Sequence, residues 1–254
     1  MGALHAGHAS LIRHGVELAK RLKHGTCVVW IFVNPTQFND PTDYARYPKT
    51  LDADLRICTE AGAGGVYVPS KDEIYPPGAS IRVPELPPVA TEPGLEDAKR
   101  PGHFAGVCQV VLRFFELVRP RIAVFGEKDW QQLQVVRAMT AREMPGVEIA
   151  PMPTVREEDG LAMSSRNRFL TREDRIKARA ISRALYAGRG EASITNALDV
   201  MSEVLREDGI DPEYAVVRDA ETLGAPGSGP MRALIGARVG TVRLIDNVEW
   251  PARR

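Results

Sequence analysis

The residues with the clearest chemical potential are two histidines near the start of the chain, His5 and His8, with Gly7 between them. Apolar residues recur at helical spacing directly after them, which predicts an amphipathic helix that ends at Gly25. Imidazoles at a helix N-terminus lie where backbone N–H groups favour an anion, and they can donate hydrogen bonds to phosphoryl oxygens. Two alternatives stay open from these residues alone: metal ligation from one helix face, and ordinary polar residues at a helix start.

A second group of hydrogen-bond donors follows the glycine-bearing turn at Gly160. Ser164, Ser165 and Arg166 bring two hydroxyls and a guanidinium, which can bind phosphate oxygens together. A mobile loop of this kind could close over a triphosphate, and the alternative interpretation is a solvated serine-rich turn. The chain lacks the Gly-x4-Gly-Lys-Ser/Thr pattern, which excludes a P-loop mechanism.

Polar residues also follow two apolar runs that are typical of buried parallel strands. Residues 27–33 lead into a loop with Asn34 and Gln37, and residues 122–125 lead directly into Gly126 and Lys128. Ligands of open α/β sheets bind outside the carboxyl ends of the strands, so these loops are candidate ligand-binding segments. Asn34 before a proline is also compatible with ordinary turn chemistry.

The elements that must position these groups fall into two parts. Strand and helix patterns alternate through residues 1–154, which predicts an α/β domain with a Rossmann-like parallel sheet and helices on both faces. Residues 155–254 show two helices followed by three strands, which predicts a smaller α+β domain. Residues 69–101 are rich in proline, with one short strand predicted at 81–83, and a segment this long usually covers a site or a partner.

Composition excludes several classes of function. Lys and Arg balance Asp and Glu at 33 each over 254 residues, so no overall field favours nucleic acid or a membrane surface. The longest apolar run, residues 27–33, is too short to span a bilayer, and the N-terminus lacks a signal-peptide pattern. The 3 cysteines fall in apolar patterns, which favours reduced thiols in a cytoplasmic protein.

The motifs together resemble a known family. Residues 1–8 are similar to the HxGH signature of the class I nucleotidyltransferase superfamily, and Met163-Ser-Ser-Arg166 resembles its KMSKS-type loop. Further stretches narrow the resemblance to the pantothenate synthetase (pantoate–β-alanine ligase) family: residues 32–38, 103–107, 125–132, 153–168 and 243–247. Because they occur in order over nearly the whole chain, the set is far more specific than the HxGH signature alone.

The resemblance implies a reaction and its participants. The reaction is ATP-dependent condensation of (R)-pantoate with β-alanine to pantothenate, AMP and pyrophosphate, through a pantoyl-adenylate intermediate. ATP would bind in the cleft between the Rossmann-like domain and the C-terminal lid domain, and Mg²⁺ would bridge its phosphate oxygens. The family is homodimeric, and apolar residues near Val66 or in the proline-rich segment are candidates for the contact.

The resemblance also implies roles for individual residues. The catalytic residues would be His5, His8, Lys128 and Arg166, with His8 as the proton donor. ATP would contact Met1, Gly2, His5, Gly7, His8, Gly126, Glu127, Lys128, Asp129, Val155, Met163, Ser164, Ser165 and Arg166. Pantoate would contact Met1, Gln37 and Gln132, and β-alanine would contact Gln37. Asp54 would be an outer partner of the metal.

The sequence departs from the family in three places. Family members carry a strand and a Pro-Thr before the residue that is Met1 here, and that first strand is absent from this chain. We expect the natural start to lie upstream, and a chain extended by that strand to be more stable and more active. Gln109 and Arg113 stand where the family usually has threonine and lysine.

Two other functions are compatible with the motifs. One is an adenylyltransferase of the same superfamily that acts on a different carboxylate or phosphate. The other is a non-catalytic nucleotide-binding protein, made inactive by the missing strand. Adenylate formation with pantoate separates both from the ligase interpretation.

Overall fold

The computed structural model describes residues 2–38, 44–45, 47–48 and 50–251. The chain forms two compact units. The first comprises Met1–Glu127 and Gln131–Pro153, and the second comprises Lys128–Trp130 and Thr154–Arg254. Sequence alone assigns residues 128–130 to the N-terminal part of the chain, whereas their contacts assign them to the second unit.

The first unit alternates helices with short parallel strands. Its helices are α1 (Ala6–Lys20), α2 (Leu51–Glu60), α3 (Lys71–Ile74), α4 (Glu96–Lys99), α5 (His103–Val118) and α6 (Trp130–Glu143). Trp130, the first residue of α6, belongs to the second unit. Its strands are β1 (Val28–Trp30), β2 (Gly65–Tyr67), β3 (Ile122–Gly126) and β4 (Glu148–Met152). Short 3-10 turns cover Pro35–Gln37, Pro88–Ala90 and Glu127–Asp129.

Helices pack on both faces of β1, as the apolar run predicts. Val29 and Ile31 are buried in one apolar cluster. The cluster also contains Leu4, which precedes α1, together with Ile12 of α1 and Cys58 of α2. Trp30 lies on the opposite face, where its ring centroid is 3.9 Å from that of Phe114 in α5. Because successive side chains of a strand alternate between its two faces, a strand with apolar residues throughout needs cover on both sides.

The strands pair in parallel, which confirms the predicted α/β class. β1 pairs with β2, from Val28 opposite Gly65 to Trp30 opposite Tyr67. β3 pairs with β4 over five residue pairs, from Ile122 opposite Glu148 to Gly126 opposite Met152. The predicted single sheet is seen as two separate two-stranded pieces, since no strand in the described ranges pairs with both β1 and β3. Both pieces keep the parallel geometry that brings strand ends together at one edge.

Buried polar contacts anchor the proline-rich segment to α6. Gln131 is 3% exposed. Its Nε2 donates to Val89 O and Asp97 Oδ1, both at 2.9 Å, and its Oε1 accepts the backbone N–H of Glu96 at 2.9 Å. The short strand predicted at residues 81–83 is not formed; there Ile81 O accepts a hydrogen bond from the Gln109 side chain instead of a strand partner. Side chains therefore hold this segment where backbone ladders do not.

The second unit has the predicted α+β composition. Helices α7 (Arg172–Arg189) and α8 (Ile194–Glu207) precede an antiparallel sheet of β5 (Pro212–Asp219), β6 (Met231–Val239) and β7 (Val242–Trp250), with β6 in the centre. Thr171 caps α7, because its Oγ1 accepts the backbone N–H of Asp174 at 3.1 Å. Leu185, Met201 and Ile235 have no more than 1% exposure in the core between helices and sheet. Burial of each such side chain contributes about 1.5–3 kcal/mol.

Among the residues that the structure describes, no helix combines the length and the apolar character needed to cross a membrane.

The Gln131 contacts generate a prediction about acid stability. Burial alone would raise the pKa of the Asp97 carboxyl, but hydrogen bonds from Gln131 and from the backbone N–H groups of Leu95 and Gly94 bring that pKa below its ordinary value. Asp97 therefore adds stability that is present above the ordinary aspartate pKa of about 3.9. That stability is lost as the pH falls through the lowered pKa of the folded state.

We expect Asp97→Asn to have a lower free energy of unfolding than the unmodified protein at pH 7. The difference should shrink as urea unfolding is repeated between about pH 4 and pH 2, because protonation removes the same charge from the unmodified protein. Asp72→Asn, at an exposed position in α3, is the control and should show no such pH-dependent gap. A gap for Asp97→Asn that stays constant with pH would contradict the assignment.

Candidate functional site

The two histidines are held by the first turn of α1. His5 is the N-cap residue, and its Nδ1 accepts the backbone N–H of Gly7 at 3.2 Å. The Nδ1 of His8 accepts the backbone N–H of His5 at 3.3 Å. Since both Nδ1 atoms are acceptors, the proton of each neutral ring lies on Nε2. The ring centroids are 4.1 Å apart, so two N–H donors lie side by side at a helix N-terminus.

A buried carboxylate fixes the turn that enters α1. Asp54 of α2 is 2% exposed. Its Oδ2 accepts the backbone N–H of Ala3 at 3.0 Å, and its Oδ1 accepts that of Leu4 at 2.8 Å. The Oδ1 atom also accepts the Thr50 hydroxyl at 3.0 Å. Ala3 has φ of 49°, in the left-handed region, which costs roughly 1–2 kcal/mol outside glycine. The hydrogen bonds to Asp54 offset that strain and place His5 at the cap.

These contacts give Asp54 a structural role, and the outer metal role predicted from the sequence stays a prediction. Both of its oxygens accept backbone N–H groups, and the side chain is almost inaccessible to solvent. Within the described ranges there is also no group of three or more His, Cys, Asp or Glu side chains arranged to hold a metal. The metal role of Asp54 therefore finds no support in the geometry.

The end of β3 lies beside the helix that carries the histidines. A Cβ added at Gly126 would lie 3.7 Å from the side chain of Leu11 in α1. This is an ordinary van der Waals distance, so the end of β3 packs against α1 and would also do so with a larger residue at this position. Gly2 and Gly7, both predicted to contact a nucleotide, are buried on either side of the same helix start.

The Asn34 side chain makes hydrogen bonds to other residues of the protein. It is 3% exposed, and its Nδ2 donates to Gly106 O at 3.0 Å. Its Oδ1 accepts the Tyr75 hydroxyl at 2.8 Å and the Thr36 hydroxyl at 3.1 Å. The amide thus ties the 3-10 turn Pro35–Gln37 to α5 and to the segment after α3. Burial raises the pKa of Tyr75, and the hydrogen bonds with Thr36 and Asn34 act in the opposite direction.

Gln37 is held from both its main chain and its side chain. Its carbonyl oxygen lies 2.9 Å from Nδ1 of His103, and its Oε1 accepts Asn34 Nδ2 at 3.4 Å. The Nε2 of His103 lies 3.1 Å from the Arg100 guanidinium, which can only donate, so the His103 proton must lie on Nδ1 and point to Gln37 O. Within the described residues the Gln37 Nε2 has no partner, so this donor can meet a ligand.

Sequence reasoning missed the roles of Tyr75, Arg100 and His103. The motif at residues 103–107 is visible in the sequence, but its side-chain partners lie more than sixty residues away in the chain, at Gln37. Only the pairing of α5 with the turn Pro35–Gln37 brings them together.

Gln132, the other residue predicted to contact pantoate, lies on α6. Gln109 and Arg113, where the sequence departs from the family, lie on α5. Gln132 is half-buried in the first turn of α6, next to the fully engaged Gln131. Gln109 donates from Nε2 to Ile81 O at 2.8 Å, and Arg113 forms an ion pair with Glu116 at 3.7 Å. Gln109 therefore anchors the proline-rich segment.

In the second unit, the serine loop grows out of a short hairpin. Arg156 and Ala162 form an isolated antiparallel bridge, and Met163 N–H donates to Val155 O at 3.0 Å. Gly160, with φ of 87°, makes the reversal. Ser164 caps the 3-10 turn Ser165–Phe169 by accepting the N–H of Arg166 at 3.2 Å. The predicted phosphate-binding residues therefore lie together in one turn that directly follows the hairpin.

Lys128 belongs to the same unit through contacts with the sheet. Its carbonyl oxygen accepts Nδ2 of Asn247 at 2.9 Å, and its Nζ lies 3.6 Å from Oδ1 of Asp129. Trp130 lies under the guanidinium of Arg232, with Cζ 3.5 Å from the ring centroid, and its Nε1 donates to Ala220 O.

The predicted site residues thus form two groups, one in each unit. The first unit carries Gly2, His5, Gly7, His8, Gln37, Asp54, Gly126, Glu127 and Gln132. The second unit carries Lys128, Asp129, Val155, Met163, Ser164, Ser165 and Arg166. Met1 lies outside the described residues.

Comparison with known proteins identifies related sequences over the full chain. A family model described as pantoate-beta-alanine ligase matches residues 1–249. A pantothenate synthetase of Nocardioides sp. is 47% identical over 98% of this chain and 76% of its own length. A pantothenate synthetase of Rubrobacter xylanophilus is 46% identical over 99% of this chain and 89% of its own length.

Solved structures agree with these relatives. The crystal structure of pantothenate synthetase from Thermus thermophilus matches with a TM-score of 0.90 at 42% identity, covering 99% of this chain and 91% of that chain. The pantoate-beta-alanine ligase from Francisella tularensis, complexed with beta-gamma ATP and beta-alanine, matches with a TM-score of 0.77 at 33% identity. That match covers 98% of this chain and 87% of the other.

The Asp54 contacts predict a specific loss of stability. In Asp54→Asn an amide NH₂ would replace one acceptor and oppose a backbone N–H of Ala3 or Leu4. We expect a decrease of about 1–3 kcal/mol in the free energy of unfolding, measured with urea. The matched control is Asp52→Asn at an exposed position two residues earlier, which should change stability by less than about 0.5 kcal/mol. Equal effects of the two variants would remove the role assigned to Asp54.

Gly106 predicts a second effect, because α5 approaches the turn Pro35–Gln37 closely there. A Cβ at Gly106 would lie 2.5 Å from Thr36 O and 2.8 Å from the backbone nitrogen of Gln37. Gly106→Ala should therefore lower the free energy of unfolding by about 1–3 kcal/mol, despite the better helix propensity of alanine. Gly146→Ala is the control, since a Cβ there meets nothing within 4 Å. A Gly106→Ala protein as stable as this control would show that the turn can move away at no cost.

Proposed function

The chain belongs to the pantoate–β-alanine ligase family, and from this premise we propose how its residues carry out the reaction. The enzyme ligates pantoate to β-alanine with consumption of ATP. In the family mechanism the pantoate carboxylate attacks the α-phosphorus of ATP and pyrophosphate leaves. The β-alanine amine then attacks the acyl carbon of pantoyl adenylate, AMP leaves, and the amine loses a proton.

The observation that carries the proposal is the pair of fixed histidine tautomers at the start of α1. Because both Nδ1 atoms accept backbone N–H groups, His5 and His8 present Nε2–H donors. We assign these donors to the phosphate oxygens on which charge develops as pyrophosphate leaves. His8, predicted as the proton donor, would donate its Nε2–H as a hydrogen bond and keep the proton, because loss of that proton from a neutral ring would leave an imidazolate. Donors held in place before the reaction need no reorganisation during it, which is the main source of electrostatic catalysis.

The cationic and hydroxyl groups of the second unit complete the proposed phosphate contacts. Lys128 and Arg166 would neutralise charge during adenylyl transfer, together with the hydroxyls of Ser164 and Ser165. Gly126, Glu127, Asp129, Met163 and the backbone of Val155 would line the nucleotide site, with Gly2 and Gly7 at the start of α1. This set provides positioning and charge stabilisation without covalent help from the protein.

The acceptor substrates are assigned to the amide side chains. Gln37 would bind pantoate and face β-alanine, because its Nε2 is a donor whose position is set by Asn34 and His103. Gln132 would bind pantoate from α6. Met1, predicted to contact ATP and pantoate, lies outside the described residues.

Mg²⁺ is proposed only as a companion of the ATP phosphates. The described residues do not fit a protein-built magnesium site, since the oxygens of Asp54 hold backbone N–H groups and no group of three or more His, Cys, Asp or Glu side chains is arranged there to hold a metal. A magnesium ion with mostly phosphate and water ligands is the usual state of ATP in such enzymes. No step of the mechanism is assigned to a protein-bound metal.

We also propose the cellular state of the protein. All three cysteines are free, and burial raises the pKa of Cys108 to about 12, as expected for an inert thiol in a reducing cytoplasm. A homodimer is supported by exposed apolar residues in the predicted contact regions, with Val68 43% and Val83 47% exposed. Sedimentation equilibrium tests this oligomeric state. The roles of residues 1–154 in substrate binding and of 155–254 as a lid stay predictions.

One reaction mixture tests the proposed chemistry as a whole. With ATP, pantoate and Mg²⁺, mass spectrometry should detect pantoyl adenylate, and addition of β-alanine should convert it to pantothenate. Pyrophosphate release with other carboxylates but not with pantoate would indicate a different adenylyltransferase. Tight ATP binding without any adenylate would indicate a non-catalytic nucleotide-binding protein.

Replacing His8 by alanine should slow adenylate formation by at least about tenfold, which corresponds to about 1.4 kcal/mol of barrier. Lys128→Ala should have an effect of similar size, because each change removes one donor to the developing charge. Pyrophosphate release with saturating pantoate is the measurement. His14→Ala, on the same helix, is the control and should retain the full rate. Retained rates in His8→Ala or Lys128→Ala would remove the corresponding assignment.

A further inference from the structure

The motif at residues 243–247 has no part in the chemistry above, yet it ends in two deeply buried polar residues. Asp246 is 4% exposed and Asn247 is 3% exposed, both on β7. Buried polar groups are stable only when their hydrogen bonds are made, so their partners indicate what these residues do.

Asn247 holds the main chain beside the predicted catalytic lysine. Its Nδ2 donates to Lys128 O at 2.9 Å, and its Oδ1 accepts Nε of Arg232 at 2.6 Å. The same Arg232 guanidinium covers the ring of Trp130 at 3.5 Å. Asn247 of β7 therefore holds residue 128 and Arg232 of β6 contacts residue 130, and these two side chains are hydrogen-bonded to each other.

Asp246 holds the hairpin that leads into the serine loop. Its carboxylate accepts two hydrogen bonds from Arg156, at 2.6 Å from Nη1 and 3.0 Å from Nη2. Arg156 also donates to Gly160 O at 3.1 Å, which closes the hairpin turn. Burial lowers the pKa of Arg156, but hydrogen bonding and the charge of Asp246 outweigh burial and raise it, so the guanidinium stays charged.

The hairpin in turn holds the loop with the predicted phosphate contacts. Asn167, in the turn Ser165–Phe169, donates from Nδ2 to Glu157 Oε1 at 2.7 Å and to Ala162 O at 3.0 Å. Displacement of the hairpin would therefore displace Ser165 and Arg166 as well.

The side chains of Asp246 and Asn247 leave β7 in opposite directions. The pairing of β6 with β7 runs without a bulge from Met231 opposite Trp250 to Val239 opposite Val242. In such a strand neighbouring side chains point to opposite faces of the sheet. Asp246 and Asn247 thus reach segments on the two sides of one rigid strand, which fixes the distance between those segments.

We propose that Asp246 and Asn247 are positioning residues that use β7 as a spacer between Lys128 and the Ser165–Arg166 turn, so that both segments keep the geometry needed for adenylyl transfer. This inference rests on the phosphate-binding roles proposed above for those residues. Neither Asp246 nor Asn247 contacts substrate in this scheme; each acts through the main chain or guanidinium that it holds.

Hydrogen–deuterium exchange of the full-length protein tests separately the contact of Asn247 with Lys128 and the contact of Asp246 with Arg156. Asn247→Asp keeps the acceptor for Arg232 and loses the donor to Lys128 O, so exchange in residues 127–131 should rise roughly five- to tenfold while residues 155–163 stay unchanged. Asp246→Asn breaks the paired contact with Arg156, so exchange should rise in residues 155–163 and stay unchanged in residues 127–131. Unchanged exchange in the targeted segment of either variant would overturn the proposal. Asn247→Ser carries the same test if Asn247→Asp does not fold.

Kinetics of the adenylation half-reaction separate positioning from general destabilisation. Both variants should release pyrophosphate roughly tenfold to hundredfold more slowly at saturating substrates, with the KM for pantoate unchanged, because the affected segments are assigned to ATP and not to pantoate. Glu213→Gln is the control; it removes an ion pair with Arg243 on the same strand, at 2.8 Å, and should keep the full rate. Equal losses in the control would show an unspecific effect of weakening β7 and overturn the proposal.

A double variant tells this proposal apart from the role assigned to Lys128. If Asn247 acts through Lys128, Asn247→Asp combined with Lys128→Ala should be no slower than Lys128→Ala alone, within about twofold. Multiplied losses would overturn the proposal. Full activity of Lys128→Ala alone would instead overturn the catalytic role of Lys128, and the exchange pattern would then decide whether Asp246 and Asn247 hold the two segments.

Discussion

The site depends first on two hydrogen bonds from consecutive backbone N–H groups to one buried carboxylate. Asp54 receives them from Ala3 and Leu4 and so stabilises a left-handed residue immediately before α1. With that turn in place, His5 becomes the cap of the helix and His8 lies one turn further on. The cap contacts then fix both ring tautomers. A buried carboxylate thereby helps to decide which nitrogen of each imidazole carries the proton.

The same principle recurs at the other functional segments. Asn34, His103 and Gly106 set the position of Gln37 by contacting main-chain atoms around it. Asp246 and Asn247 do so for the hairpin before Arg166 and for Lys128. In each case a buried side chain satisfies a backbone group in a loop that has no strand or helix to satisfy it. Under the proposed mechanism, loops held in this way would keep charged groups in place before the substrate arrives, which is what electrostatic catalysis requires.

This arrangement explains why several family motifs contain residues without an evident part in the reaction. Asn34 has the amide expected of a substrate contact, yet its hydrogen bonds are made within the protein. Asp246 and Asn247 lie on the strand that is last in the described chain, and their partners are about 90 and 119 residues earlier. Residues 128–130 follow β3 in sequence but pack with the second unit because Asn247 and Arg232 hold them there.

The sequence by itself determined the classes of the two parts of the chain, the parallel pairing in the first, the helices before a sheet in the second, and the motifs that identify the family. Local patterns suffice for these, because hydrophobic periodicity and capping act over a few residues, as at Thr171 before α7. Only the tertiary structure decided that Asp54 holds the turn before α1, that His103 supports Gln37, and that Asn247 holds Lys128. Those roles arise from contacts between residues 50 or more positions apart, and no local pattern records which distant backbone group a buried side chain will satisfy.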